Sequence, residues 1–547
     1  MLADLHCHPA TWSFQKLRNS KNDVTPRNSQ WHIWNISRTK KDERKIKKGK
    51  RASYAQSDFK LLSKGDVRLV FASLYPIEKG FFMGNRAKGI NANIIGGVLN
   101  NFLLNLPDWL RKGLSVVLKP VSVVASVLVN NEGQVRDFLQ KMVMKTHKAR
   151  INFFQSDPYD YYKELELENE FYNSFKKLDP TGDEATEILK YDIATSGNQI
   201  DPIIIANQVA VVLTMEGFHS IALQFKQGSN DYLELVPEAE LKRRIQQLKD
   251  WGLFFVTFSH HFSNHLVGHA HSLPLILMEI ANPEPLMNKG FECSVPGIPV
   301  DYGKKWIREL LSISESHGNV PALGRRVLID VKHMSAVSRK EYYNSIVKPY
   351  NEKNVTDKIP VIASHCGYYG PGGESLHLVI QKANGEKDDS FHKKGFYQWN
   401  INLCDEDIEV ITETGGLIGI SLDQRILGEK PDAKTTEIEY WVMVMARNII
   451  GMVYAAKGRG IANPENVWKC FTIGSDYDGL IDPGNSFPRA EELKEFGPAL
   501  LIYLTTNPVI QKILPDIFLA GNPFTPAQVV EMICFKNAHD FTITHFK

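Results

Sequence analysis

Two histidines separated by one residue stand at the start of this chain. In MLADLHCHPA, Asp4, His6 and His8 occupy alternate positions, and alternate side chains of a β-strand share one face. Five more ionisable residues stand at the ends of apolar runs: Glu216 in VAVVLTMEG, His260 in LFFVTFSHH, His333 in RVLIDVKHM, His365 in PVIASHCG and Asp476 in FTIGSDYDG. Singly, each has a structural reading. His333 is then a hydrogen-bonded strand-end residue, Glu216 a helix cap and Asp476 part of a turn. Jointly, in the order HxH, E, H, H, D, they are a donor set for two divalent ions. Imidazole and carboxylate ligands favour zinc, with manganese and iron as alternatives. A bridging carboxylate with flanking imidazoles holds two ions close together, and a water between them is acidified to a pKa of about 7. An aspartate beside that water can take its proton and pass it to the leaving group. The chemistry expected of such a set is metal-assisted hydrolysis.

These residues need elements that bring them to one place. Eight apolar runs recur along the chain: 2–8, 67–75, 209–217, 253–261, 326–334, 360–367, 416–423 and 471–479. Helix-like stretches follow them, which is the pattern of a closed (β/α)8 TIM barrel of class α/β, whose buried parallel strands read as continuous apolar segments. The candidate site residues fall at the C-terminal ends of these runs, and in a parallel barrel those ends share one face. The whole chain, 1–547, is therefore expected to be a single hydrolase barrel. About 130 residues separate the second and third runs, too many for one crossover, so 80–205 is expected to be a large helical insertion. Residues 368–400, rich in Gly, Lys and Asp, follow the sixth run and are expected to be a lid loop or a surface loop.

Composition narrows the partners. The chain has 547 residues, 43% hydrophobic and 23% charged, with a net charge of +2. That balance gives no electrostatic case for nucleic acid or a membrane surface. The basic run from Ser37 to Arg51 reads as a solvated face. Residues 91–129 are the most apolar stretch, yet polar residues interrupt them too often for a bilayer span. They are expected to be helices broken at Pro107 and Pro120 that pack on the main body, in preference to a membrane surface. Six cysteines, at 7, 293, 366, 404, 470 and 534, form no CxxC pair and no disulfide framework. With no secretory signal pattern at the start, a cytoplasmic location is the expectation.

Several stretches resemble the membrane (renal) dipeptidase family of the metal-dependent amidohydrolase superfamily: EGFHS (216–220), VTFSHHFSNHLVGHAHS (256–272), VLIDVKHMS (327–335), PVIASHCG (360–367), NLCDEDIEVITETGGLIGIS (402–421) and IGSDYDG (473–479). FTPAQVVEMICFKNAHDF (524–541) is similar to the helix pair that closes the barrel in that family. The resemblance implies two zinc ions and dipeptide substrates, and a homodimer. It makes Glu216 the carboxylate bridging the ions, with His6 and His8 on one and His333 and His365 on the other. His260 would polarise the scissile carbonyl, with adjacent His261 as the alternative by one residue, and Asp476 would shuttle the proton. Two departures stand out. The family's HxD is His6-Cys7-His8 here, which removes one negative charge. Ile401 stands where the family has an arginine that grips the substrate carboxylate, so Lys393, Lys394 or an arginine of the insertion would have to serve.

Two other readings compete. DxHxH also opens metal-dependent phosphoesterases, although EGFHS and GSDYDG argue against that class. A barrel that keeps metal only for stability and binds a partner through its insertions is the third, against which stands the proton-shuttle position of Asp476. The segment HHFSNHLVGHAH, with histidines at 260, 261, 265, 269 and 271, could hold a further ion, but a loop bordering the active face is the preferred reading.

Overall fold

The computed structural model describes residues 1–14, 33–34, 55–78, 160–180, 185–225, 233–270, 272, 289–292, 299–383, 392–393, 395–429, 435–518 and 524–547. Each of the eight apolar runs contains a strand: β1 (Leu2–Cys7), β2 (Val67–Leu74), β3 (Val209–Glu216), β4 (Phe255–Thr257), β5 (Leu328–Asp330), β6 (Ile362–Cys366), β7 (Leu417–Ile420) and β8 (Phe471–Ile473). Neighbours pair in parallel around the ring, and β8 returns to β1 through Asp4 opposite Ile473, so the barrel closes. The longest register joins β2 and β3, from Leu69 opposite Ala210 to Leu74 opposite Met215. Each of the eight barrel strands is thereby paired on both sides.

Helices fill the crossovers and bury one face each against the strands. They include α1 (Phe59–Lys64), α2 (Tyr161–Phe175), α3 (Glu238–Asp250), α4 (Tyr302–Leu311), α5 (Ala336–Tyr342), α6 (Asp405–Glu413) and α7 (Ile438–Gly458). Local chemistry sets where they start. Asp58 caps α1 by accepting from Leu61 N at 2.9 Å, and Ser335 caps α5 by accepting from Ser338 N at 3.0 Å, two residues after His333. Such caps satisfy amide donors that a helix start leaves without partners. Among the described residues no helix is long and apolar enough to cross a membrane. Residues 91–129, and with them that part of the expected insertion, lie outside the described residues.

The described part of the expected insertion is not helical throughout. It holds α2, but also a strand, Tyr191–Ala194, that pairs in parallel with the first half of β3, while β4 takes the second half at Met215 and Glu216. Short β4 leaves the lower edge of β3 open, and Tyr191–Ala194 fills it. In the stretch 368–400, the described residues form a helix, Leu376–Ala383, and a short antiparallel ribbon of His392–Lys393 with Phe396–Tyr397.

The expected C-terminal helix pair is one helical run instead. Pro526–Glu531 continues through a π turn, Met532–Lys536, into Asn537–His545. It closes the N-terminal end of the barrel: Asn537 Nδ2 donates to Trp468 O and Phe471 O, both at 2.8 Å, and Phe546 packs against Phe254 in a tilted pair with centroids 4.7 Å apart. The opposite end is left for the polar residues.

Candidate active site

Below the C-terminal mouth the barrel interior carries a polar layer. Asp330 accepts from Thr257 Oγ1 and Ser364 Oγ, each at 2.6 Å, and from the Ser364 and Lys332 amides at 3.0 Å. Asp4 likewise accepts from Ser475 Oγ at 2.5 Å and Ser475 N at 2.8 Å. Burial outweighs these bonds and pushes Asp4 up to about 6. Both carboxyls are tied to neighbouring strands, so they hold register between strands and leave the layer above to do chemistry. The strands must also lie close, since a Cβ on Gly419 or Gly474 would come within 2 Å of Ser364 O.

The layer above contains the predicted residues. His6 lies in β1, with His8 just past its end; Glu216 ends β3; His365 lies in β6; His260, His333 and Asp476 follow β4, β5 and β8. All are buried. Glu216 is central. Its Oε2 is 3.1 Å from His8 Nε2, and its Oε1 is 3.5 Å from His6 Nε2, 3.3 Å from His333 Nε2, 3.7 Å from His365 Nε2 and 3.4 Å from His260 Nε2. Asp476 Oδ1 lies 3.7 Å from both His6 Nε2 and His8 Nε2, and its Oδ2 3.8 Å from His365 Nε2.

Two donor groups result, His6, His8, Glu216 and Asp476 on one side and Glu216, His333 and His365 on the other, with Glu216 in both. They fit a pair of divalent cations. His6 Nε2, His8 Nε2 and Asp476 Oδ1 are buried with no hydrogen-bond partner, which is costly unless a cation takes their lone pairs. His8 Nδ1 lies 3.1 Å from Ser73 O, and donation there leaves Nε2 as the free lone pair facing Glu216. His365 Nδ1 is held in the same way, 2.9 Å from Ser364 Oγ.

Electrostatics agree. Burial, chiefly, holds His333 and His365 well below the usual imidazole range, hence neutral and able to ligate. Burial would raise Glu216, but the charges of His260 and His6 and the close approach of the His333 and His6 rings hold it well below the usual carboxylate range. His8 is pushed up to about 10 by Asp476 and Glu216 despite its burial. Without metal a proton would sit where two carboxylates demand a cation, and metal would release it. Asp476 is raised, by burial first and by the charge of Glu216, against the opposing influence of the nearby His8 and His6.

Backbone geometry aims two of these groups. His333 and Asp476 have φ of 64° and 59°, a left-handed conformation seldom adopted by residues other than glycine and concentrated at functional sites. Asp476 is thus both a turn residue, with Gly479 N donating to its carbonyl at 3.0 Å, and a site residue. Gly479 is required there, because a Cβ would meet Asp476 Oδ1 at 1.9 Å. Asp478, two residues on, anchors the loop instead, accepting from Trp12 Nε1, Gln56 N, Ser57 N and Ser57 Oγ at 2.7–2.9 Å.

Of the two adjacent histidines, His260 presents Nε2 to Glu216. His261 directs its Nδ1 to Ser272 Oγ, and burial holds it well below the usual range. His260, His261 and His333 nevertheless form a third close group of donors. Elsewhere in the histidine-rich segment, His269 is bridged to Met334 beside the site, and His271 is outside the described residues.

One residue of the site has no counterpart in the sequence reading. Glu78, buried beyond the end of β2, accepts from His260 Nδ1 at 2.7 Å and from Phe262 N at 3.1 Å. Burial would raise it, but the charges of His260 and His219 and these hydrogen bonds hold it low. In PIEKG it stands among loop residues with no periodicity to single it out. Only the apolar run before it marked the place.

Ile401 has the opposite character. It is buried in a small apolar cluster with Ala270, Tyr397, Trp399 and Ile426. Arg339 holds the neighbouring backbone, pairing with Asp407 at 2.9 Å and donating to Asn400 O at 2.6 Å and Asn402 O at 3.3 Å. This arginine is committed to structure.

No protein-family profile matches the chain, and no curated protein does. Among solved structures, the dipeptidase AC, a metallo peptidase, aligns at 9% identity and a TM-score of 0.49 over 100% of this chain and 98% of its own. A metallo peptidase from Rhodobacter sphaeroides, liganded with a phosphinate mimic of the dipeptide L-Ala-D-Ala, aligns at 9% identity and 0.47 over 100% and 99%. The probable dipeptidase PvdM from Pseudomonas aeruginosa aligns at 11% identity and 0.39 over 90% and 89%. These three solved structures are what the chain is similar to, each at a TM-score below 0.5.

Proposed function

We propose that the protein is a metal-dependent hydrolase of amide bonds in small substrates, with dipeptides as the leading class. The observation that carries this reading is Glu216: one buried carboxylate shared between two sets of donors, with Asp476 against one of them. His6 and His8 would hold one divalent cation and His333 and His365 the other, with Glu216 between. Zinc is the expected ion, since imidazoles supply most of the donors. Two such ions supply Lewis acidity and lower the pKa of a water toward neutrality.

The chain's own residues do the rest. Asp476, its carboxyl raised by burial, takes a proton at Oδ1 or Oδ2 and returns it to the leaving nitrogen. His260 presents Nε2 toward the same space and polarises the scissile carbonyl, its ring fixed from behind by Glu78. The buried strand ends exclude bulk water, which strengthens every charge interaction inside. The described residues that follow β6, from Tyr368 to Ala383, start next to His365, and in this reading the segment 368–400 encloses the substrate.

The test is metal content by elemental analysis of protein purified without chelator, with hydrolysis of a panel of L,L and L,D dipeptides. Two ions per chain and dipeptide turnover are expected. Two ions with turnover only of amides lacking a free carboxylate would move the substrate class; protein that retains no metal would end the reading.

A further inference from the structure

The donors formed by His260, His261 and His333 include no carboxylate, and one nitrogen from each ring lies within 4.8 Å of the others. All three side chains are nine-tenths or more buried. The His261 ring centroid is 3.7 Å from that of His260 and 5.4 Å from that of His333, and the His260 and His333 centroids are 4.7 Å apart. Continued as a strand, the segment would send the adjacent His260 and His261 to opposite faces. β4 ends at Thr257 instead, and both rings meet His333. His261 belongs to neither of the donor groups that share Glu216, so the bridged pair does not account for its place.

Each ring has the setting of a ligand. A metal-binding imidazole is oriented by an acceptor at its other ring nitrogen. His260 Nδ1 lies 2.7 Å from Glu78 Oε2, and His261 Nδ1 is held by Ser272 Oγ; donation at Nδ1 turns Nε2 of each toward ligation. His333 has two nitrogens to give. Its Nε2 is 3.3 Å from both Glu216 Oε1 and His365 Nε2, while its Nδ1 is buried with no hydrogen-bond partner among the described residues. A buried lone pair left unmatched is costly, and a cation satisfies it.

We propose that His260, His261 and His333 form a third cation site, filled after the carboxylate-bridged pair, and that an ion held there inhibits hydrolysis. Imidazoles as the only protein donors select zinc, nickel or copper over magnesium or calcium. With no anionic donor of its own and two cations beside it, the third ion is held more weakly than the pair. Inhibition follows from His260, whose Nε2 cannot face an ion and the scissile carbonyl at once. The inference rests on the hydrolase reading above and adds a metal-operated brake to that site.

The test is zinc binding to full-length protein by equilibrium dialysis and elemental analysis, with alanyl-alanine turnover measured at each free zinc concentration, for the natural chain, His261→Asn and Ser272→Ala. The natural chain is expected to take up a third ion per chain at higher free zinc than the first two, with turnover falling as it binds. Cobalt in place of zinc gives a readout independent of activity, since the third equivalent should add its own visible absorption bands. His261→Asn should stop at two ions and resist the zinc that inhibits the natural chain. Ser272→Ala, a milder change that removes only the partner of the ring, should weaken the third ion by about tenfold. A natural chain that saturates at two ions, or a third ion bound as tightly by both variants, would overturn the site while the hydrolase reading stands. A third ion that leaves turnover intact would overturn the inhibition. Stoichiometry and the cobalt bands decide the site even if alanyl-alanine is not cleaved, and protein that retains no metal would end this inference and the hydrolase reading together.

Discussion

Asp476 and Glu78 divide the work of the site in a way that single substitutions can separate. Asp476→Asn keeps the size and removes the ability to take a proton. It should leave metal content near that of the natural chain and cut kcat by about 10²-fold or more, the usual scale for an acid/base group; turnover unchanged in the variant would remove Asp476 from the mechanism. Glu78 touches no expected substrate atom. It acts through His260 Nδ1, so Glu78→Ala should lower kcat more than it changes KM, by roughly tenfold as the carbonyl-polarising ring loses its orientation. Glu78→Gln keeps an acceptor for Nδ1 and should restore part of that loss. Equal damage from Ala and Gln with weakened metal binding would make Glu78 a charge-balancing residue rather than a positioning one.

At the scale of elements, α2 brings the insertion onto the barrel mouth through a buried carboxyl. Glu168 accepts from Tyr75 N at 2.8 Å, and burial pushes it up to about 7, with the Tyr75 hydrogen bond and the charge of His8 opposing. A carboxyl raised on folding is more protonated in the folded chain than in the unfolded one. Its contribution to stability is therefore present at acid pH and declines as pH rises from the unfolded value of 4.5 through about 7. Glu168→Gln mimics the protonated form and keeps the Tyr75 acceptor. The variant should melt with the natural chain near pH 4.5 and increasingly above it as pH rises to 7, by up to roughly 3 kcal/mol, with no further gain beyond. Calorimetry across that range checks this, and a pH-independent difference would mean that Glu168 is ionised in the fold throughout. The strand elements act differently. Eight short strands with glycines at 419 and 474 let backbones approach closely enough for Asp4 and Asp330 to bridge neighbours, so the register beneath the site is set by hydrogen bonds as well as by packing.

For the whole molecule, closure of the barrel is what makes the site costly without cations. Residues from β1, β3, β6 and the ends of β5 and β8 bury their lone pairs around one point, and ions that bind only the folded chain stabilise it by mass action. Each should add about 2.7 kcal/mol at a free concentration 100 times its Kd. Removal of metal by chelator should lower the melting temperature, with recovery on adding zinc; a melting temperature indifferent to both would show that the donor groups hold no ion.

The candidate residues and the eight strands were legible in the sequence because both signals are local. An apolar run of strand length shows itself by composition, and a polar residue at its C-terminal end is assigned to one barrel face by topology alone. HxH at the end of β1, Glu216 ending β3 and Asp476 after β8 are assigned to one mouth by that topology. The tertiary structure decided whatever depends on distance between segments remote in the chain. Glu78 meets His260 across 182 residues from an aperiodic loop, the strand Tyr191–Ala194 exists because β4 leaves part of β3 unpaired, and His260 differs from His261 only in which partner each ring faces.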